Sequence, residues 1–247
     1  KESDYDTSTI GTEIEQYIKE NNTYDAAVAV SVINADEVLY ADNFGYADKK
    51  RNIPTDEKTV YEWGSLSKVL TWISVMQLME QGKINLQEDI KTYLPDNYLK
   101  KVTYNKPITM VDLMNHTGGW QDSITNVYTD DEDDILPLEE YVSKYEPIQL
   151  YEPGTTVAYS NWSTTLAGYI VERVSGEDYC DYVTKHILLP LGMNHTSIFP
   201  LHDDNDFVKA GLEKITGYTT DGREISGRYY APDYPAAGAA GTMKDVQ

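Results

Sequence analysis

Leu66, Val69, Leu70, Ile73, Met76 and Met79 recur at helical spacing, and a run of that period and length buries its apolar side only as an α-helix of about four turns. The rest of the chain has to be built around it. Gly82 is placed to end this helix. Ser65 stands at its mouth, and Lys68 lies one turn along. Positions i and i+3 share one face of a helix, so the two side chains can meet without help from distant segments. That is the arrangement of a nucleophile beside a base. The Ser65 N–H would stand among the free donors of the helix N-terminus, which favour a developing oxyanion. The plainer alternative is that Ser65 only caps the helix and Lys68 faces solvent.

With 247 residues, 40% of them apolar, the chain can bury a sizeable core as one large domain or two small lobes. Its 41 acidic against 20 basic residues give a formal charge of −21. A surface of that sign repels phosphate backbones and anionic lipid, which argues against nucleic-acid and membrane-surface partners. The single Cys180 forms no internal disulfide, and His186, His195 and His202 are too irregularly spaced to suggest a metal site. No apolar run reaches bilayer-spanning length. The chain starts at Lys1 with no signal-like segment, which fits a start after a removed leader and an extracytoplasmic protein. The 21 tyrosines against 3 phenylalanines have no evident physical reason beyond amphipathic packing.

In chain order, residues 8–21 carry Ile10, Ile14, Tyr17 and Ile18 at helical spacing. Residues 26–33 alternate through Val28, Val30 and Val32, and 37–46 resume a β pattern after a polar turn, so a hairpin is expected. A polar loop, 48–59, leads to Ser65. Short helices are expected within 84–94 and 109–115, and loops around them. The acidic run 129–134 reads as a solvated loop, with cation binding as the other reading. A helix through Leu166, Ile170, Val171 and Val174 stops at Gly176, and an apolar-periodic stretch covers 179–189. Strands are expected near 215–218 and 225–230.

Ser-x-x-Lys occurs once in the chain, directly after a glycine. Tyr159-Ser160-Asn161 is likewise the one place where asparagine follows tyrosine by two, in a loop after Pro153-Gly154. A tyrosine beside a lysine can take up a serine proton, and Asn161 offers both a donor and an acceptor, suited to a substrate amide and to Lys68. Against this, an isolated tyrosine is more often packed with its hydroxyl satisfied.

Together these residues resemble the serine β-lactamase and penicillin-binding protein superfamily, in its class C β-lactamase-like, D,D-peptidase and esterase branch. Gly64-Ser65-Leu66-Ser67-Lys68 is similar to the first family motif, and Glu152-Pro153-Gly154 leading to Tyr159-Ser160-Asn161 to the second. Leu94-Pro95, Leu113-Met114-Asn115-His116-Thr117-Gly118-Gly119, Leu191-Gly192-Met193 and the segment 237–242 resemble other landmarks, in the right order over 26–247. The resemblance implies an α/β (α+β) fold of the β-lactamase/transpeptidase type: an antiparallel sheet flanked by helices, with residues 1–60 and 205–247 in an α/β lobe and 61–204 in a mostly helical lobe. It implies an acyl-enzyme on Ser65, a proton relay of Lys68 and Tyr159 with the base left open, substrate orientation by Asn161, and no cofactor or metal. The implied substrates are a peptidoglycan-type peptide, a β-lactam or a small ester.

The family's third motif, His-x-Gly or Lys-Thr-Gly, follows the region that 237–242 resembles, and no such triplet follows here. His116-Thr117-Gly118 and Lys209-Ala210-Gly211 lie in the wrong segments and are set aside. The expectation is therefore one incomplete catalytic domain over 1–247. It would lack half of its oxyanion hole, a loss of about 10²–10³ in rate. The hairpin would have an open edge, completed by another segment or another chain. A non-catalytic binding module or fragment is the reading from a different class.

Overall fold

In a computed structural model, residues 9–22, 25–121, 128–219, 221–225 and 227–247 are described. Helix α1 (Ile10–Asn21) leads into the antiparallel pair β1 (Val28–Ile33) and β2 (Val38–Phe44), in register from Val28 opposite Phe44. Next come β3 (Tyr46–Asp48) paired with β4 (Ile53–Pro54), then β5 (Val60–Glu62). A 3₁₀ turn, Gly64–Leu66, opens α2 (Ser67–Glu80). Helices α3 (Met110–Met114), α4 (Leu138–Lys144), α5 (Asn161–Ser175) and α6 (Tyr179–Val183) follow, the last running on into a π turn over Thr184–Leu188. The chain closes with β6 (Thr196–Ser197), α7 (Asp206–Leu212), α8 (Tyr234–Ala237), β7 (Ala240–Thr242) and α9 (Met243–Val246).

This is the mixed α/β class expected, with the strands of the described residues in three small antiparallel sheets rather than one. The third has the order β5-β7-β6, with Val60 opposite Thr242 and Thr196 opposite Gly241. The hairpin β1-β2 pairs only with itself among the described residues, and none of its residues is buried. The strands expected near 215–218 and 225–230 are reduced to single bridges, Tyr218 to Glu224 and Thr129 to Tyr230. Residue 226 of the second lies outside the described residues. The acidic run is a 3₁₀ turn capped by Asp131 and latched through Tyr230 O–H to Glu132.

Helix α5 is the centre of the core, with every residue from Trp162 to Val171 buried. The Ser160 side chain caps it through Ser163 N–H, and Gly176 ends it at φ +78, where a glycine has no Cβ penalty. Gly168 lets Pro235 approach, since a Cβ there would come within 2.8 Å of the proline ring. Helix α2 packs on α5 and α8 with Ser67, Lys68, Leu70, Thr71, Ser74, Val75 and Leu78 buried. That corrects the expected stripe, because Leu66 and Val69 are 56% and 53% exposed. Small hydroxyl residues occupy the inner face because they allow close approach and find partners there. Thr71 donates to Pro235 O at 2.8 Å and meets Tyr179 O–H at 2.6 Å, and Ser74 donates to Leu70 O at 2.8 Å.

Where α5 meets α6, the Glu172 carboxyl accepts the Tyr179 N–H at 3.0 Å. Burial, helped by Asp178 and Glu139, pushes its pKa up to about 7 against that hydrogen bond. An unfolded glutamate titrates near 4.3, so between about 4.3 and about 7 the folded state binds more protons and stability falls as pH rises. Glu172→Gln keeps the acceptor and removes the buried charge. It is expected to raise the melting temperature at pH 8, with the gain closing below about pH 4. A variant that melts lower than the parent at pH 8 contradicts this account.

Candidate active site

The four residues singled out from sequence come together at the start of α2. Ser65 lies in the 3₁₀ turn, and the helix carries Lys68 onto the same side, so Lys68 Nζ donates to Ser65 Oγ at 3.2 Å. The loop that ends in the α5 cap brings Tyr159 O–H to 2.8 Å from Ser65 Oγ, and the first residue of α5 brings Asn161 Oδ1 to 2.7 Å from Lys68 Nζ. Lys68 donates a third hydrogen bond, at 3.0 Å, to the carbonyl of Ala236 in α8. All three ammonium protons are thus engaged. Lys68 is 5% exposed, Ser65 faces solvent, and Tyr159 is 49% exposed.

The geometry distinguishes Ser65 from Ser67, which is nearer to Lys68 in sequence. Ser67 is fully buried, donates to Gly64 O at 2.6 Å and accepts Ala239 N–H at 2.9 Å. It ties α2 to the 236–239 segment, whose Ala239 carbonyl in turn accepts Trp63 N–H at 2.8 Å. This tie presents Ala236 O to Lys68. Ser65 is instead exposed, and its hydroxyl meets Lys68 Nζ and the Tyr159 hydroxyl.

Two further residues, given no role from the sequence, adjoin this cluster. Ala236 acts through its backbone, which carries no sequence signature. His116, part of the 113–119 landmark and rejected only as a third-motif triplet, stacks on Tyr159 with ring centroids 4.4 Å apart and accepts Ser160 N–H on Nδ1 at 3.2 Å. The other discarded triplet is unrelated to the site: Lys209 lies on α7 in an exposed ion pair with Asp203.

Beside Gly64 opens a cavity of about 570 Å³, lined in part by Glu62, His202, Leu212, Arg228 and Gly238. Burial raises the Glu62 pKa, and Arg228 counters part of that rise. Burial and Arg228 together push His202 down to about 4, so it is neutral at pH 7, bonded through Nδ1 to Ser197 Oγ at 3.1 Å. A cavity next to an exposed serine, holding both apolar surface and a few charged groups, is what a small-molecule subsite needs.

A family model described as beta-lactamase matches residues 14–247. A Bacillus subtilis (strain 168) protein provisionally named penicillin-binding protein PbpX is 27% identical over 223 residues, 87% of this chain and 52% of that protein. The chain thus spans about half the length of this relative. Among solved structures, an octameric penicillin-binding protein homologue from Pyrococcus abyssi superposes with a TM-score of 0.73 at 26% identity, over 98% of this chain and 55% of that one. A β-lactamase/D-alanine carboxypeptidase from Pseudomonas syringae gives 0.71 at 25% identity, over 95% and 61%.

Proposed function

The chain belongs to the beta-lactamase family, and from that premise we propose that Ser65 is the nucleophile of an acyl transfer from an amide, a β-lactam or an ester. The observation that carries this reading is the convergence of Tyr159 O–H and Lys68 Nζ on one exposed hydroxyl, at 2.8 and 3.2 Å.

The Ser65 proton passes to Tyr159 as Oγ bonds to the substrate carbonyl carbon. Two features favour Tyr159 over Lys68 as acceptor. Its contact is the shorter one, and Lys68 already directs its three protons at Ser65, Asn161 and Ala236. The step uses Tyr159 as its phenolate: Lys68, held 4.8 Å from the Tyr159 ring centroid, stabilises that negative charge before the transfer, and the Ser65 proton neutralises it. The carbonyl oxygen becomes an oxyanion facing the Ser65 N–H, one of the first donors of the turn. The C–N or C–O bond to the leaving group then breaks, and Tyr159 returns the proton to the departing atom. Water repeats the sequence on the Ser65 ester. Asn161 fixes Lys68 through Oδ1 and orients the substrate amide.

Among substrates, D,D-peptides and β-lactams are the first choice, by analogy with the Pseudomonas syringae protein of that description. A small-ester hydrolase is the second, and the cavity beside Gly64 would take the acyl side chain of any of them. Intact-mass and peptide mapping after exposure to a fluorophosphonate are expected to place one adduct on the peptide containing Ser65. An unmodified Ser65 peptide rejects the reading. Turnover of nitrocefin assigns a β-lactamase, and a long-lived penicillin adduct without turnover a peptidase. Hydrolysis of a nitrophenyl ester with neither assigns an esterase.

A further inference from the structure

His116 is held in a left-handed backbone conformation, φ +56, which is uncommon for a residue with a side chain. The conformation follows the end of α3, where His116 N–H donates to Leu113 O at 3.2 Å. It leaves both ends of the residue on the neighbouring loop. The His116 carbonyl accepts Ala158 N–H at 2.8 Å, and Nδ1 accepts Ser160 N–H at 3.2 Å. Between those two anchor points is Tyr159, whose ring lies against the imidazole. Ser160 also caps α5, so its two neighbours in sequence are the residues that touch Ser65 and Lys68. Fixing Ser160 fixes both.

We infer that His116 is a positioning residue for the proton relay, acting through Ser160, and that it makes the relay sensitive to acid. An unprotonated Nδ1 accepts the Ser160 N–H. Once protonated, the ring presents a donor to a donor, and the bond is lost. Protonation also adds a cation against the Tyr159 ring, which already has Lys68 near it. Among the described residues, the other charged groups on the elements next to His116 are Asp112 on α3, bonded to Thr109 and Thr117, and the pair of Lys106 and Glu152 at the turn whose Gly154 N–H bonds Thr117 O. None of these accepts the Ser160 N–H.

The inference rests on the reading of Tyr159 as proton acceptor, and two measurements separate its failure from the failure of that reading. The first is the rate of fluorophosphonate labelling of Ser65 as a function of pH. The parent protein is expected to lose reactivity in acid, over the same pH interval in which the His116 ring is protonated, as followed by its ring proton shifts. His116→Ala is expected to label about ten- to a hundred-fold more slowly at pH 8, as a misplaced relay would. His116→Asn places an amide oxygen near the Nδ1 position and tolerates positive φ. It is expected to recover most of that loss and to lack the acidic fall. A parent-like acidic fall in His116→Asn, or a parent-like rate in His116→Ala, overturns the inference. The second measurement needs no reactivity. In ¹H–¹⁵N spectra of the parent, the Ser160 amide is expected to titrate together with the His116 ring, and a Ser160 amide indifferent to that titration overturns it even if Ser65 never labels.

Discussion

Ser65→Ala is expected to abolish covalent labelling by a fluorophosphonate or a penicillin and to lower turnover of any accepted substrate by about 10⁴- to 10⁶-fold, the range seen when an activated serine is removed. The fold should tolerate the change. Ser65 faces solvent, and without its hydroxyl Lys68 keeps Asn161 Oδ1 and Ala236 O. Substrate binding should change little, so the loss falls on kcat rather than KM. Ser67→Ala is the informative companion. It removes the acceptor of Ala239 N–H and the donor to Gly64 O in a fully buried place. An unmet buried N–H costs about 1–3 kcal/mol, which lowers the melting temperature by about 2–4 °C per kcal/mol at this size. Ser67→Ala should therefore melt lower yet still label on Ser65. Labelling that survives in Ser65→Ala, or that disappears only in Ser67→Ala, would move the nucleophile elsewhere.

The contrast between these two serines shows what could be read from the chain alone. Ser65 and Lys68 were legible because their relation is local: three residues along a helix set the distance between them. Tyr159 and Asn161 are more than 90 positions away, and no local rule links them to Ser65. Their triplet became informative through its resemblance to the family's second motif. The inner face of α2 was illegible for a different reason. Apolar periodicity points to a buried face only when apolar residues fill it, and here Ser67, Thr71 and Ser74 do so, with hydrogen bonds to Gly64, Ala239, Pro235 and Leu70. Strands as short as β6 and β7, of two and three residues, cannot display an alternating pattern. The strands expected near 215–218 and 225–230 had the right composition but found only single bridging partners. His116 was read only as part of the 113–119 landmark, with no role of its own, and its triplet was rejected as the third motif. Its connection to Tyr159 depends on a backbone angle that composition does not encode.

Lys68→Met is expected to separate catalysis from stability. Lys68 is a buried cation, and among the described residues it takes part in no ion pair within 4.0 Å. Its charge is met instead by three neutral acceptors, Ser65 Oγ, Asn161 Oδ1 and Ala236 O. Taking an ammonium out of water costs several kcal/mol, and hydrogen bonds to a charged group return about 1.5–3 kcal/mol each. The two contributions nearly cancel. A methionine of similar length removes both, keeps the packing and leaves two carbonyl acceptors, Asn161 Oδ1 and Ala236 O, each with one donor fewer. The melting temperature is accordingly expected to move by less than about 5 °C in either direction, about 1–2 kcal/mol at this size. Catalysis has no such compensation, because the phenolate form of Tyr159 loses its neighbouring cation and Ser65 loses a donor. A fall of about 10²–10⁴-fold in kcat is expected, the usual range for a residue in proton transfer. Thermal melting and single-turnover acylation of the same preparation decide the matter. A variant that melts more than 10 °C lower would make Lys68 a structural residue first, and one that acylates at the parent rate would remove it from the relay.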